Sequence, residues 1–137
     1  MARRKLIHAG TMVLDSEGLA KLLAEDARVL ALVEEARRRG MDVVICALTI
    51  IEAVHARTNR SRLAWVLSWL RVAPVGDEEA KAASALLMRT GLHGHKYAID
   101  AAVAELAMRQ QRPVSLLTSD LDDMGKLCEG RVRLVAV

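Results

Sequence analysis

At 137 residues, 53% of them hydrophobic and 27% charged, the chain has the size and composition of one compact domain over 1–137, which excludes a second domain and an intrinsically disordered chain. Aromatic residues make up 2% and Phe is absent, so the core is built from Leu, Val, Ile, Ala and Met, and aromatic base stacking is excluded as the main way of holding nucleic acid. Lys and Arg number 20 against 17 Asp and Glu, a net charge of +3 that is by itself weak evidence for a polyanionic partner.

Arg3-Arg4-Lys5 begins like an export signal, but His8, Gly10 and Asp15 interrupt any apolar segment behind it, and no apolar span of about 18 residues follows anywhere. Cys46 and Cys128 are too few for a disulfide framework, and Cys46 lies inside an apolar run. A soluble protein of the reducing cytoplasm, with no membrane partner, is expected.

The first strand ends at Met12-Val13-Leu14, and Ser16 is expected to cap a helix through Leu19, Leu22 and Leu23. A second helix runs from Asp26 to Arg39, where Val29, Leu32, Val33 and Ala36 recur at helical spacing and Gly40 supplies a left-handed stop. Met41 to Cys46 reads as a strand, Thr49 to Arg57 as a helix, Asn59 to Ser61 as a turn, and Arg62 to Leu70 as a helix apolar on nearly every side. A short strand, Arg71 to Val75, leads into a helix from Asp77 to Thr90. Beyond the loop marked by Gly91 and Gly94, Tyr97 to Arg109 is an Ala-rich helix suited to close packing on a sheet. Val114 to Leu117 is a strand, Asp122 to Cys128 a helical turn, and Val132 to Val135 the last strand. The alternation predicts an α/β domain with a mostly parallel central sheet.

Asp15, Glu52, Asp100 and Asp120 each follow an apolar strand or open a helix. In a parallel sheet such positions meet at the carboxyl edge, near the switch point of the strand order. Each acid also has a plain local use: Asp15-Ser16 as a helix cap, Thr49 with Glu52 as a capping box, Asp100 on a helix dipole, Ser119 with Asp122 as another box. Together they demand more, because carboxylates a few ångströms apart repel by roughly 1–4 kcal/mol per pair at surface-like dielectric. Protons or divalent cations must compensate, and hard oxygen ligands without thiolate favour Mg²⁺ or Mn²⁺. Ions so held can grip a scissile phosphate and activate water.

At these residues the chain resembles the PIN-domain ribonucleases of the VapC toxin type over essentially its whole length. The matching pieces are Leu14-Asp15-Ser16, Thr49-Ile50-Ile51-Glu52-Ala53, Ala98-Ile99-Asp100-Ala101-Ala102, and Leu117-Thr118-Ser119-Asp120-Leu121-Asp122-Asp123. The resemblance implies a PIN-like three-layer α/β/α fold, Mg²⁺- or Mn²⁺-dependent cleavage of RNA phosphodiester bonds, and a toxin restrained by a cognate antitoxin; a homodimer is expected as well. By position, Asp15, Glu52, Asp100 and Asp120 correspond to the family's acidic quartet. Asp123 matches an extra acid often found nearby, and Asp122 is left to cap the following helix. The crowding of Asp120, Asp122 and Asp123 leaves the fourth ligand open. Asp15, Asp100 and Asp120 are assigned to the cation, Glu52 to the attacking water, and Ser119 or Thr118 to hydrogen bonding a ligand or phosphate.

Other features divide between structure and function. Arg57, Arg60 and Arg62 follow the Glu52 helix and are expected to bind RNA phosphates, whereas Arg37-Arg38-Arg39 suits a helix carboxyl end. Trp65 and Trp69, four residues apart, serve either the core or a groove for an antitoxin helix or a second subunit. His93 and His95 flank Gly94 without Cys support and read as solvated, and His55 reads as surface or packing. Glu52 with Asp120-Leu121-Asp122 also resembles a Toprim-type metal site, a reading that leaves Asp15 and Asp100 without roles. An aspartyl phosphatase would want Asp rather than Glu at position 17. The non-enzymatic alternative is a catalytically weak or inactive PIN-like module acting through RNA or protein binding.

Overall fold

The computed structural model describes residues 9–137, so the reading of Arg3-Arg4-Lys5 and His8 lies outside the described residues. Five strands form a single sheet: β1 (Thr11–Leu14), β2 (Asp42–Cys46), β3 (Arg71–Ala73), β4 (Val114–Thr118) and β5 (Arg133–Ala136). Every pairing is parallel, in the order β3-β2-β1-β4-β5, where a mostly parallel sheet was expected. Parallel strands must be covered on both faces. The runs Met12-Val13-Leu14 and Val43-Val44-Ile45-Cys46 are accordingly buried along their whole length rather than on alternate residues.

The helices are α1 (Ser16–Leu23), α2 (Ala27–Arg38), α3 (Ala47–Ala53), α4 (Arg60–Trp69), α5 (Asp77–Thr90), α6 (Gly94–Met108) and α7 (Leu121–Leu127). Side chains alternate between the faces of a strand, so Met12, Leu14, Val43, Ile45 and Leu117 meet Leu19 and Leu22 of α1, Val29 and Val33 of α2 and Val66 of α4. Val13, Val44, Val114 and Leu116 face the other way, onto Leu86 of α5, the Ala-rich face of α6, and Met124 and Leu127 of α7. The result is the three-layer α/β/α arrangement expected. No helix among the described residues is long and apolar enough to cross a membrane.

The strand order reverses between β1 and β4, so the chain leaves their carboxyl ends toward different neighbours and a crevice opens there. The Asp15 N–H donates to the Leu117 carbonyl (3.1 Å), extending the β1–β4 ladder one residue past β1. α1 then turns tightly against the end of β4. A Cβ on Gly18 would stand 3.3 Å from the Leu117 carbonyl oxygen, so the first turn comes this close because position 18 has no side chain.

Several expected boundaries move, each for a local reason. Asp15, not Ser16, caps α1, its carboxylate accepting from the Gly18 N–H (3.0 Å). Asp26 caps α2, which ends before Gly40 in the left-handed conformation (φ 80°) as its sequence suggested. α3 starts at once after β2 and stops at Ala53, where His55 and Thr58 form a turn: the His55 N–H donates to the Thr58 hydroxyl (2.9 Å) and the Arg57 N–H to His55 Nδ1 (3.1 Å). Thr49 therefore lies inside α3, and the expected Thr49–Glu52 capping box does not form. Asn59 caps α4, accepting from the Arg62 N–H (2.9 Å), in place of the Asn59–Ser61 turn. α6 begins earlier than expected, at Gly94, and breaks at Tyr97 (φ −110°, ψ 15°) before its regular stretch.

Candidate active site

Asp15 is 7% exposed at the start of α1, directly beyond β1. Burial pushes its carboxyl up from the ordinary value, while hydrogen bonds from the Thr118 hydroxyl and the Gly18 N–H pull the other way. Thr118, the last residue of β4, is fully buried (0% exposed). Its oxygen also accepts the Asp120 N–H (3.0 Å), so one hydroxyl ties the loop after β1 to the loop after β4. This joint exists because β1 and β4 are neighbours in the sheet although about a hundred residues separate them along the chain.

Asp120 caps α7, its Oδ1 accepting from the Asp123 N–H (3.1 Å). The cap assigned to Asp122 belongs to Asp120 instead. Asp122 is exposed and pairs with Lys126 one turn on (3.7 Å), whereas Asp123 is half-buried. Ser119 is exposed on the same turn. Glu52, exposed in the last turn of α3, and Asp100, half-buried in α6, complete the set.

Asp100 reports how these groups are arranged. Its carboxyl is pushed up from 3.8 to about 6, first by burial and then by the negative fields of Glu52, Asp120, Asp15 and Asp123. Four acids from three separate stretches of chain thus act on one carboxyl. No three His, Cys, Asp or Glu side chains among the described residues are gathered closely enough to grip a metal ion as they stand. Like charges resist closer approach until a cation screens them, and Asp15 and Asp120 each commit one oxygen to a helix end. The donors are hard carboxylate and hydroxyl oxygens, the chemistry of Mg²⁺ or Mn²⁺ sites. Cys46 and Cys128 are buried in the opposite core layer, among the side chains of α5, α6 and α7.

The arginines divide. Arg57 and Arg60 are exposed, at the turn after α3 and the start of α4. Arg62 is half-buried: its Nη2 donates to the Leu22 carbonyl (3.0 Å) and its guanidinium lies over the Trp65 ring (5.1 Å), so it joins α1 to α4 and does not fit the phosphate role expected of it. Trp69 is half-buried under the Arg37 guanidinium (4.0 Å), while Trp65 is 52% exposed and packs edge-on against Trp69 (5.7 Å between centroids). Two surface grooves open beside the turn between α3 and α4, and one of them is lined by α4 itself. One of about 300 Å³ is lined by Ala20, Leu23, His55 and Arg57. The other, about 450 Å³, is lined by Val54, Leu63, Ala64 and Leu67.

Sequence reasoning missed Thr49, fully buried (0% exposed) with its hydroxyl unpartnered, as a residue of interest beyond a cap. Its polarity inside an apolar helix was the available signal. It also left open the part played by Thr118, which requires knowing that β1 and β4 are paired.

No protein-family model and no curated protein sequence matches the chain. Solved structures do. A structure of VapBC2 from Rickettsia felis bound to a DNA fragment from its promoter superposes with a TM-score of 0.71 at 14% identity, covering 93% of this chain and 98% of that one. A toxin-antitoxin complex from Klebsiella pneumoniae gives 0.61 at 16% identity over 82% and 89% of the two chains. FitAcB from Neisseria gonorrhoeae gives 0.57 at 16% identity over 90% and 96%. The fold is thus the PIN-like α/β/α domain that the resemblance implied, shared with proteins of toxin-antitoxin complexes.

Proposed function

We propose that the chain is a divalent-metal-dependent endoribonuclease serving as the toxin of a toxin-antitoxin pair. The observation that carries this reading is the raised Asp100 carboxyl, on which the fields of Glu52, Asp120, Asp15 and Asp123 converge at the switch point of the sheet. The relatedness in fold to toxin-antitoxin proteins supports the same direction.

In this reading Asp15 and Asp100 hold Mg²⁺ or Mn²⁺ directly, Asp120 does so directly or through water, and Asp123 adds negative charge at the rim. The bound cation would supply charge neutralisation for the scissile phosphate and a more acidic water. Glu52, exposed at the crevice mouth, accepts the proton of the attacking water. Thr118 holds Asp15 and Asp120 in mutual register, and Ser119 offers its exposed hydroxyl to a phosphate oxygen. Arg57 and Arg60 bind phosphates flanking the cleaved bond. Asp100 near 6 is largely ionised at neutral pH, as a cation ligand must be.

The antitoxin in this reading is a protein with an apolar segment that seats on α4. The sequence of α4 is apolar on nearly every side, yet only Val66 is buried, Trp65 stands exposed, and Leu63, Ala64 and Leu67 line a surface groove. Ile51, 72% exposed on α3, is a further apolar side chain that a homodimer contact would cover if one forms. The test is incubation of purified protein with a panel of structured RNAs and Mg²⁺, with an Asp100→Asn control and mapping of the cut ends. Metal-dependent cuts at defined positions, absent in the control, are expected. Cuts of equal rate with the control, or none with any RNA, contradict the nuclease reading and leave a binding module.

A further inference from the structure

The buried hydroxyl of Thr49 does no work in the metal-free fold. A helical threonine or serine ordinarily satisfies its hydroxyl on the carbonyl one turn back. Ser84 and Thr90 of α5 do this, bonding the Ala80 (2.9 Å) and Leu86 (2.8 Å) carbonyls. Thr49 does not: it is fully enclosed, and its Oγ1 has no hydrogen-bond partner. An unpaired buried hydroxyl destabilises a fold relative to valine, which fills the same space without a polar atom.

Its position explains the exception. α3 leaves the end of β2 directly, packs against α1, which Asp15 caps, and also against α6, which carries Asp100. Thr49 and Glu52 are three residues apart and so share a face of α3, with Thr49 one turn closer to the sheet edge. The unpartnered hydroxyl therefore belongs to the helix that carries Glu52 and that packs against the helices bearing Asp15 and Asp100.

We propose that Thr49 is a positioning residue for the acid cluster, its hydroxyl donating a hydrogen bond to an oxygen of the coordination shell once a divalent cation is bound. The inference rests on the metal-dependent reading above and adds a partner that the acids alone do not supply. Residues that orient metal ligands from behind contribute strongly to affinity even though they never touch the ion.

The experiment uses full-length protein freed of metal with EDTA, melted without metal and titrated with MnCl₂ by calorimetry. Thr49→Val is expected to melt at or above the wild-type temperature without metal, yet to bind Mn²⁺ roughly tenfold more weakly, the lower end of the effect for such residues. Thr49→Ser is expected to restore wild-type affinity. Equal affinity in wild type and Thr49→Val overturns the proposal, as does a Thr49→Ser protein that binds as weakly as the valine variant. A Thr49→Val protein that melts well below wild type, or fails to fold, overturns it too, because the hydroxyl then has a partner in the metal-free fold. Wild-type protein that takes up no Mn²⁺ defeats the metal-dependent reading itself, a result distinct from each of these.

Discussion

Replacing Asp100 with Asn tests the electrostatics of the cluster without touching its packing. The carboxyl titrates near 6 in the folded chain against 3.8 ordinarily, so the native state binds the proton more tightly than the unfolded state. Stability must then fall as pH rises through that interval and stay low above it. The full shift corresponds to about 3 kcal/mol, which partial exposure of the group reduces to roughly 1–2 kcal/mol. Asn removes the charge and keeps the shape. At pH 7.5 in EDTA, Asp100→Asn is therefore expected to be more stable than wild type by that amount, a rise of on the order of 3–7 °C in melting temperature for a domain of this size. Below about pH 4, where wild-type Asp100 is itself neutral, the gain should vanish. With Mn²⁺ present the order should reverse, since the variant has lost a cation ligand. Calorimetric melts at the two pH values, with and without metal, read all of this. A variant that is less stable than wild type at pH 7.5 without metal would refute the reasoning, since neither burial nor a negative field would then be penalising the charge of Asp100.

Further predictions separate scaffold from chemistry. Asp15→Asn keeps an oxygen to cap α1 through Gly18 and should match or exceed wild-type stability without metal while losing RNA cleavage; Asp15→Ala should also cost about 1 kcal/mol of folding stability through the lost cap. Thr118→Val removes the acceptor of the Asp120 N–H and the donor to Asp15, and urea unfolding should show a loss of about 1–3 kcal/mol, with no change contradicting the bridge. Charge reversal at Arg57 and Arg60 should weaken RNA binding and flatten its dependence on salt, with little effect on melting; unchanged binding in a filter assay across salt concentrations would remove them from the RNA path.

The periodic helices and the buried parallel strands were legible because each depends on local pattern alone, as were the positions of Asp15 and Asp120 just beyond β1 and β4; Glu52 and Asp100, expected after a strand or at a helix start, lie instead in the last turn of α3 and within α6. The dual use of Asp15 was legible only as a choice between cap and ligand, whereas in the fold one oxygen caps α1 and the carboxyl still faces its neighbours. What remained hidden depends on contacts between distant segments. Thr118 bridges two loops because β4 lies beside β1, a pairing no local window contains. Arg62 turns inward because the Leu22 carbonyl at the end of α1 waits for it, so a run of arginines that reads as one basic patch splits in two. α3 is shorter than its composition suggests because the His55–Thr58 turn satisfies the backbone without another helical turn. The break at Tyr97 had no sequence signal beyond the preceding Gly94.

The claim on which the account rests is that Asp15, Asp100 and Asp120 share one divalent cation at the β1–β4 switch point. Crystals grown with Mn²⁺ and measured for anomalous scattering test it directly. A single strong peak within coordinating distance of those three carboxylates, lost in Asp100→Asn crystals, is the predicted result. Peaks only elsewhere on the molecule, or an empty crevice at millimolar Mn²⁺ and neutral pH, would contradict it.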